Sequence, residues 1–121
     1  MIRYLLVLVL SAIVLSTSVA SAQAMPACPM TPTISALSDC VRHAAEMGHI
    51  TRPGVTRSLL AELQAAQVAL DRGNPRVAIA LIEVFIKEVR VLSGMAIERE
   101  HATHMIEHAQ LLIQDLERRE A

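Results

Sequence analysis

Residues 70–94 read LDRGNPRVAIALIEVFIKEVRVLSG, and this stretch decides how the chain folds. Gly73 closes whatever helix precedes it, Asn74 is placed to cap the next one, and Pro75 stands at the first helical position. A proline costs nothing there, because the N–H it lacks would have had no partner. Beyond it Ala78, Leu81, Phe85, Val89 and Leu92 recur at three- and four-residue intervals, the spacing of one helix face, and Ile79, Ile82 and Ile86 broaden that face. Ser93-Gly94 ends the run. So apolar a helix should be the most buried element of the fold.

Working outward, the same punctuation repeats. Toward the N-terminus a helix begins near Pro53 or Gly54 and ends at Gly73, with Val55, Leu59, Leu63, Ala66 and Leu70 down one side and Leu60 widening it. Before that, Thr33 caps a helix that runs to Met47 and stops at Gly48, carrying Ile34, Leu37, Val41 and Ala44 as its stripe. Toward the C-terminus a helix runs from about Glu98 to Arg119, striped by Ala102, Met105, Ile106, Ala109, Leu112, Ile113 and Leu116. Its first turn holds Glu98 and Glu100 and its last holds Arg118 and Arg119, the polarity that the helix dipole favours. No segment alternates as a strand would. Short links between helices favour antiparallel neighbours, so the expected fold is all-α, a compact up-and-down bundle of about four helices.

The first 24 residues, MIRYLLVLVLSAIVLSTSVASAQA, read as a secretory signal peptide. Arg3 supplies the positive start, an apolar run extends from Leu5 to Leu15, and Ala20-Ser21-Ala22 or Ala22-Gln23-Ala24 offers the cleavage signal. The run falls short of the roughly 20 apolar residues that a membrane span needs, so no stable membrane anchor is expected after cleavage. Pro26 immediately before Ala27-Cys28 argues against a lipid-modified cysteine. Residues 25–32 form an extended proline-rich leader, and the helical domain occupies 33–119. A secreted or periplasmic location is oxidising, and the two cysteines, Cys28 and Cys40, are expected to pair there as a structural staple. Closing that loop would contribute on the order of 3 kcal/mol, a large share of a small domain's stability.

Composition excludes several functions. Cleavage after residue 24 of 121 leaves 97 residues, enough for one small core, and 10 basic residues against 12 acidic ones. With no basic field, neither nucleic acid nor anionic lipid is an expected partner. Phe85 is the sole aromatic left after Tyr4 departs with the signal, so no base-stacking or sugar-stacking platform exists.

The segments SLLAELQAAQ (58–67), DRGNPRVAI (71–79), FIKEV (85–89), LSG (92–94) and MIEHAQLLI (105–113) resemble, in order and spacing, the FIMAH domain. The resemblance runs from Gly48 to Leu116. It implies a small helical module of secreted bacterial proteins, often C-terminal to larger extracellular domains, with an accessory or interaction role. Its common positions are core and turn residues, and it brings no catalytic residue. Here the module would stand nearly alone, which would place its partner on another chain.

Chemistry-bearing residues are few. His101, His104 and His108 fall on one side of the last helix, at the edge of its apolar stripe, where i,i+3 and i,i+4 spacing brings side chains within reach of one ion. With Asp115 or water completing the shell, they would suit Zn, Cu or Ni, and a periplasmic transition-metal binding protein is the alternative function. The preferred reading leaves them as half-exposed boundary residues with no cofactor. His43, Met47 and His49, with Met25 and Met30 on the leader, sketch a soft copper site that is better read as core and cap residues. Ser58, Thr56 and Ser93 lack a histidine-and-acid arrangement, and neither a G-x-S-x-G elbow, a phosphate loop, H-E-x-x-H nor C-x-x-C-H occurs. The chain is not expected to be an enzyme. The expected function is a non-catalytic interaction or accessory module for a protein or cell-envelope partner, with a homodimer as one form of it. Ile82, Val84 and Val91 are the candidates for the partner face, since the third helix carries more apolar residues than one face can hide.

Overall fold

A computed structural model of the chain describes residues 28–120. The expected signal peptide at 1–24 and the first three residues of the expected leader lie outside the described residues. Four helices follow in order: α1 Ile34–Glu46, α2 Pro53–Asp71, α3 Pro75–Leu92 and α4 Arg99–Glu120. Each begins where its local chemistry dictates. The Thr33 hydroxyl accepts the Ala36 N–H at 3.1 Å, the expected cap of α1. Prolines open α2 and α3. Asn74 stands at the N-cap of α3 but makes no side-chain cap bond, because its backbone (φ −113°, ψ 68°) departs from the extended geometry that carries a cap side chain over the first amides. Gly48, Gly73 and Gly94 all take positive φ at the ends of the first three helices; at Gly73 (φ +76°) the turn closes through the Gly73 N–H to the Leu70 carbonyl at 2.9 Å.

The helices pack as a ring, α1 against α2, α2 against α3, α3 against α4, and α4 back against α1. Their inner faces converge on Phe85, which is fully buried with Leu37, Leu59, Leu63, Ile82 and Ile97 among the largest side chains around it. On α3 the buried line is Ala78, Ile82, Phe85, Ile86 and Val89, while Leu81 and Leu92 are half-buried. Because α3 packs against both α2 and α4, its seam is wide and rotated toward Ile82 and Ile86. Ile82 has no exposed surface, so it cannot belong to a partner face and is corrected to a core residue.

One end of the bundle is held by a short clasp between the α1–α2 and α3–α4 loops. Ile50 and Ile97 form an isolated antiparallel bridge, flanked by Thr51 N–H donating to the Ala96 carbonyl and Glu98 N–H donating to the His49 carbonyl, each at 2.9 Å. Both isoleucines are buried. The clasp ties two loops 47 residues apart in sequence and closes the apolar core at that end. The leader is the second non-helical element. It doubles back along α1, so that Cys28 bonds to Cys40 halfway along that helix, as expected. No helix among the described residues is long and apolar enough to cross a membrane.

Candidate functional site

The three α4 histidines do not share a site. His108 is fully buried, where the helical wheel places it at the boundary. The reason is the leader, which lies over α4 at this point and turns a boundary position into an interior one. His108 Nε2 sits 2.6 Å from the Thr31 carbonyl oxygen, while Nδ1 faces Cys40 Sγ at 3.5 Å and Cys28 Sγ at 3.7 Å. A carbonyl oxygen only accepts, so the ring proton belongs on Nε2 and Nδ1 is a bare lone pair. Burial holds the pKa of His108 below its ordinary value, opposed by the Thr31 hydrogen bond and helped by the nearby His104. The ring is therefore neutral at neutral pH. With both nitrogens committed inward, His108 is unavailable to an ion shared with His101 and His104, and that grouping is corrected. His104 is half-buried beside it.

His101 belongs to a different group, at the clasp. Its ring stacks on His49 with centroids 3.7 Å apart and planes 15° from parallel. Glu98 serves both rings, with Oε2 2.5 Å from His49 Nδ1 and Oε1 3.7 Å from His101 Nδ1. The second distance is beyond hydrogen-bond reach, and His101 Nδ1 has no partner. Imidazoles bind metals in the plane of the ring, so two parallel stacked rings aim their lone pairs side by side, not toward one point. The arrangement suits a carboxylate that braces two loops better than it suits a cation. It also gives Glu98 a role beside that of the helix dipole, and it joins His49 to α4.

A third polar group lies between α2 and α3. The Ser58 hydroxyl donates to Glu88 Oε2 at 3.1 Å. Glu62 faces Glu88, and its Oε2 is buried with no hydrogen-bond donor. Burial, with the neighbouring Glu88 carboxyl adding to it, pushes the Glu62 pKa up to about 8. A proton held between the two carboxyls supplies the missing donor. No sequence pattern announced this pair, although Ser58, Glu62 and Glu88 face one another across the α2–α3 seam.

The hydroxyls of Thr33, Thr51 and Thr103 bond to the backbone and that of Ser58 to Glu88, none to a histidine. One depression of about 400 Å³ is walled by Gln67, Leu70, Asp71, Pro75, Leu116, Arg119 and Glu120, a set with no histidine, cysteine, serine or threonine.

What the surface does carry is a line of valines. Val77, Val84 and Val91 follow one another at seven-residue intervals along α3 and are 52%, 46% and 72% exposed. Val84 and Val91, two of the three candidates for a partner face, are thus on the outside, and Val77 extends their line.

These features define a small helical module: four antiparallel helices around one apolar core, stapled by a disulfide, with three of its exposed apolar residues in line on α3. The chain belongs to the FIMAH domain family, whose pattern matches residues 34–114. The match starts at the first residue of α1, so it takes in a helix that the resemblance at Gly48–Leu116 leaves out. No curated protein and no solved structure matches the chain.

Proposed function

We propose that the protein is a non-catalytic interaction module of the extracytoplasmic space, and that the outer face of α3 docks an amphipathic helix of a protein partner. The observation that carries this reading is the valine line. A seven-residue apolar repeat is the spacing at which one helix meets another along a left-handed seam. The exposed residues around it, Arg76, Lys87 and Arg90 with the single acid Glu83, form a largely basic rim, which suits a partner helix flanked by acidic residues. The signal-like N-terminus and the disulfide support a site of action outside the cytoplasm.

The test is a photo-crosslinking amino acid placed at position 84 or 91, with position 64 on α2 as the control, in cells that secrete the protein. One crosslinked protein obtained from 84 and 91, absent from 64 and lost on Val77→Asp, is the expected result. Identical products from all three positions, or none, refutes it. A product twice the mass of the chain would instead make the partner a second copy.

A further inference from the structure

We propose that Cys28, Cys40 and His108 form a thiol-gated zinc site, closed while the disulfide is intact and opened when a dithiol reduces it. This inference stands apart from the α3 docking face and shares no residue with it.

The argument begins with the fully buried imidazole. The Thr31 carbonyl fixes the proton on Nε2, so Nδ1 presents a lone pair to two sulfurs, 3.5 and 3.7 Å away. A disulfide has no proton to donate. The oxidised site therefore sets three electron-pair donors face to face, two of them buried and Cys28 half-buried, with nothing positive between them. Such a set lacks a cation or a pair of protons.

The spacing fits zinc. With Zn–S near 2.3 Å and Zn–N near 2.0–2.1 Å at tetrahedral angles, the S···N edges of a Cys₂His site are roughly 3.5 Å. Both S···N edges already have that length. Only the S···S edge must open, to roughly 3.7–3.8 Å once the bond is broken. Cys40 and His108 are anchored on α1 and α4, but Cys28 lies on the non-helical leader and is half-buried, so it is the ligand free to move. The Thr31 carbonyl supplies what a histidine ligand ordinarily has, a hydrogen bond to its other ring nitrogen that fixes tautomer and orientation. Charge selects the ion: one Zn²⁺ with two thiolates and a neutral imidazole is neutral overall, whereas Cu⁺ would leave a net negative charge buried. Water reaching the half-buried Cys28 side would fill the fourth position.

The chemistry balances in two steps. A dithiol passes two electrons and two protons to the disulfide, becoming a disulfide itself and leaving two cysteine thiols. Zn²⁺ then replaces both thiol protons, which are released to water. When zinc leaves and two protons return to the thiols, exchange with a small-molecule disulfide, which takes up the two electrons and two protons and becomes two thiols, restores the staple.

The test uses the purified protein in oxidised form and after phosphine reduction under anaerobic conditions, titrated with Zn²⁺ and, for its visible spectrum, Co²⁺. The expected result is one zinc per chain in the reduced protein, no comparable binding in the oxidised protein, and a cobalt spectrum with thiolate charge-transfer bands. His108→Ala should weaken zinc binding at least tenfold, and Cys28→Ser should abolish the charge-transfer bands expected of two thiolates. Equal affinity in the oxidised and reduced proteins overturns the proposal, as does a reduced protein indifferent to His108→Ala. Should reduction unfold the chain, recovery of the helical circular dichroism on adding one equivalent of zinc supports the site, and failure to recover overturns it. The cobalt spectrum of the unsubstituted protein keeps the test decisive if a variant does not fold.

Discussion

Glu62→Gln should make the protein more stable in mild alkali, and the size of the gain can be worked out. In the folded protein Glu62 holds its proton to about pH 8; in the unfolded chain its carboxyl ionises near the ordinary 4.5. Below 4.5 both states are protonated and the site costs nothing. Between 4.5 and 8 the folded state binds a proton that the unfolded state has lost, so stability falls as pH rises through that window and levels off above it. Each pKa unit is worth about 1.4 kcal/mol, so the full displacement would weigh nearly 5 kcal/mol at a dry site. Glu62 is only half-buried, and water at its exposed edge reduces this; about 2 kcal/mol is expected. Glutamine keeps the shape, removes the titration and brings an amide that can donate to Glu88. Urea unfolding of both proteins, followed by far-ultraviolet circular dichroism at about pH 5 and about pH 8.5, measures the effect. The two should be nearly equal at the lower pH, with the variant ahead by about 2 kcal/mol at the higher. Parallel pH profiles would mean that the carboxyl pair shares no proton, and the reasoning would fail.

Other substitutions probe other parts of the fold. His108 is neutral when folded and its pKa lies below the ordinary 6.5, so the unfolded chain takes up a proton first and stability should be lost as pH falls below about 6.5; His108→Leu should abolish that slope, read from unfolding midpoints across the acid range. Phe85→Ala empties the centre of the core, where Phe85 has no exposed surface, and should cost about 3–5 kcal/mol by denaturant unfolding. Gly73→Ala meets no atom within 4 Å, so only the positive φ of +76° is penalised, and about 1–2 kcal/mol is expected in the same assay. Cys28→Ser should remove on the order of 3 kcal/mol by releasing the leader, seen as a lower thermal midpoint in non-reducing buffer.

The helices were legible in the sequence because their signals are local. Pro75, Gly73 and the three- and four-residue rhythm of α3 depend only on neighbours along the chain, and α1 through α4 begin and end within a residue or two of where those signals put them. The disulfide was legible from the cysteine count and the compartment that the N-terminal pattern led one to expect. What the periodicity could not show is which way a crowded helix turns. With apolar residues on most of its circumference, α3 offered two nearly equivalent seams, and packing against both neighbours chose the one that buries Ile82 and leaves Val77, Val84 and Val91 outside. The clasp was invisible for another reason. His49, Glu98 and His101 meet only because a two-residue bridge at Ile50 and Ile97 pins loops that are distant in sequence, and no helical wheel relates them.

The fate of the three α4 histidines shows how much a few non-periodic residues can decide. On the wheel they are equivalent, three imidazoles at the border of one stripe. In the fold each answers to a different neighbour. His101 meets the clasp, His104 stays half-buried, and His108 is sealed in by a leader whose sequence carries no structural rhythm. That leader reaches its place because Cys28 is bonded to Cys40, so the disulfide not only restrains the unfolded chain but also sets the environment, and hence the charge, of a side chain 80 residues away from Cys28. Breaking the disulfide would expose His108 to water and return its pKa toward the ordinary value, unless something else holds the leader down. The acid sensitivity of His108 and the integrity of the staple are thus one property seen in two measurements, and Cys28→Ser should flatten the same acid slope that His108→Leu removes.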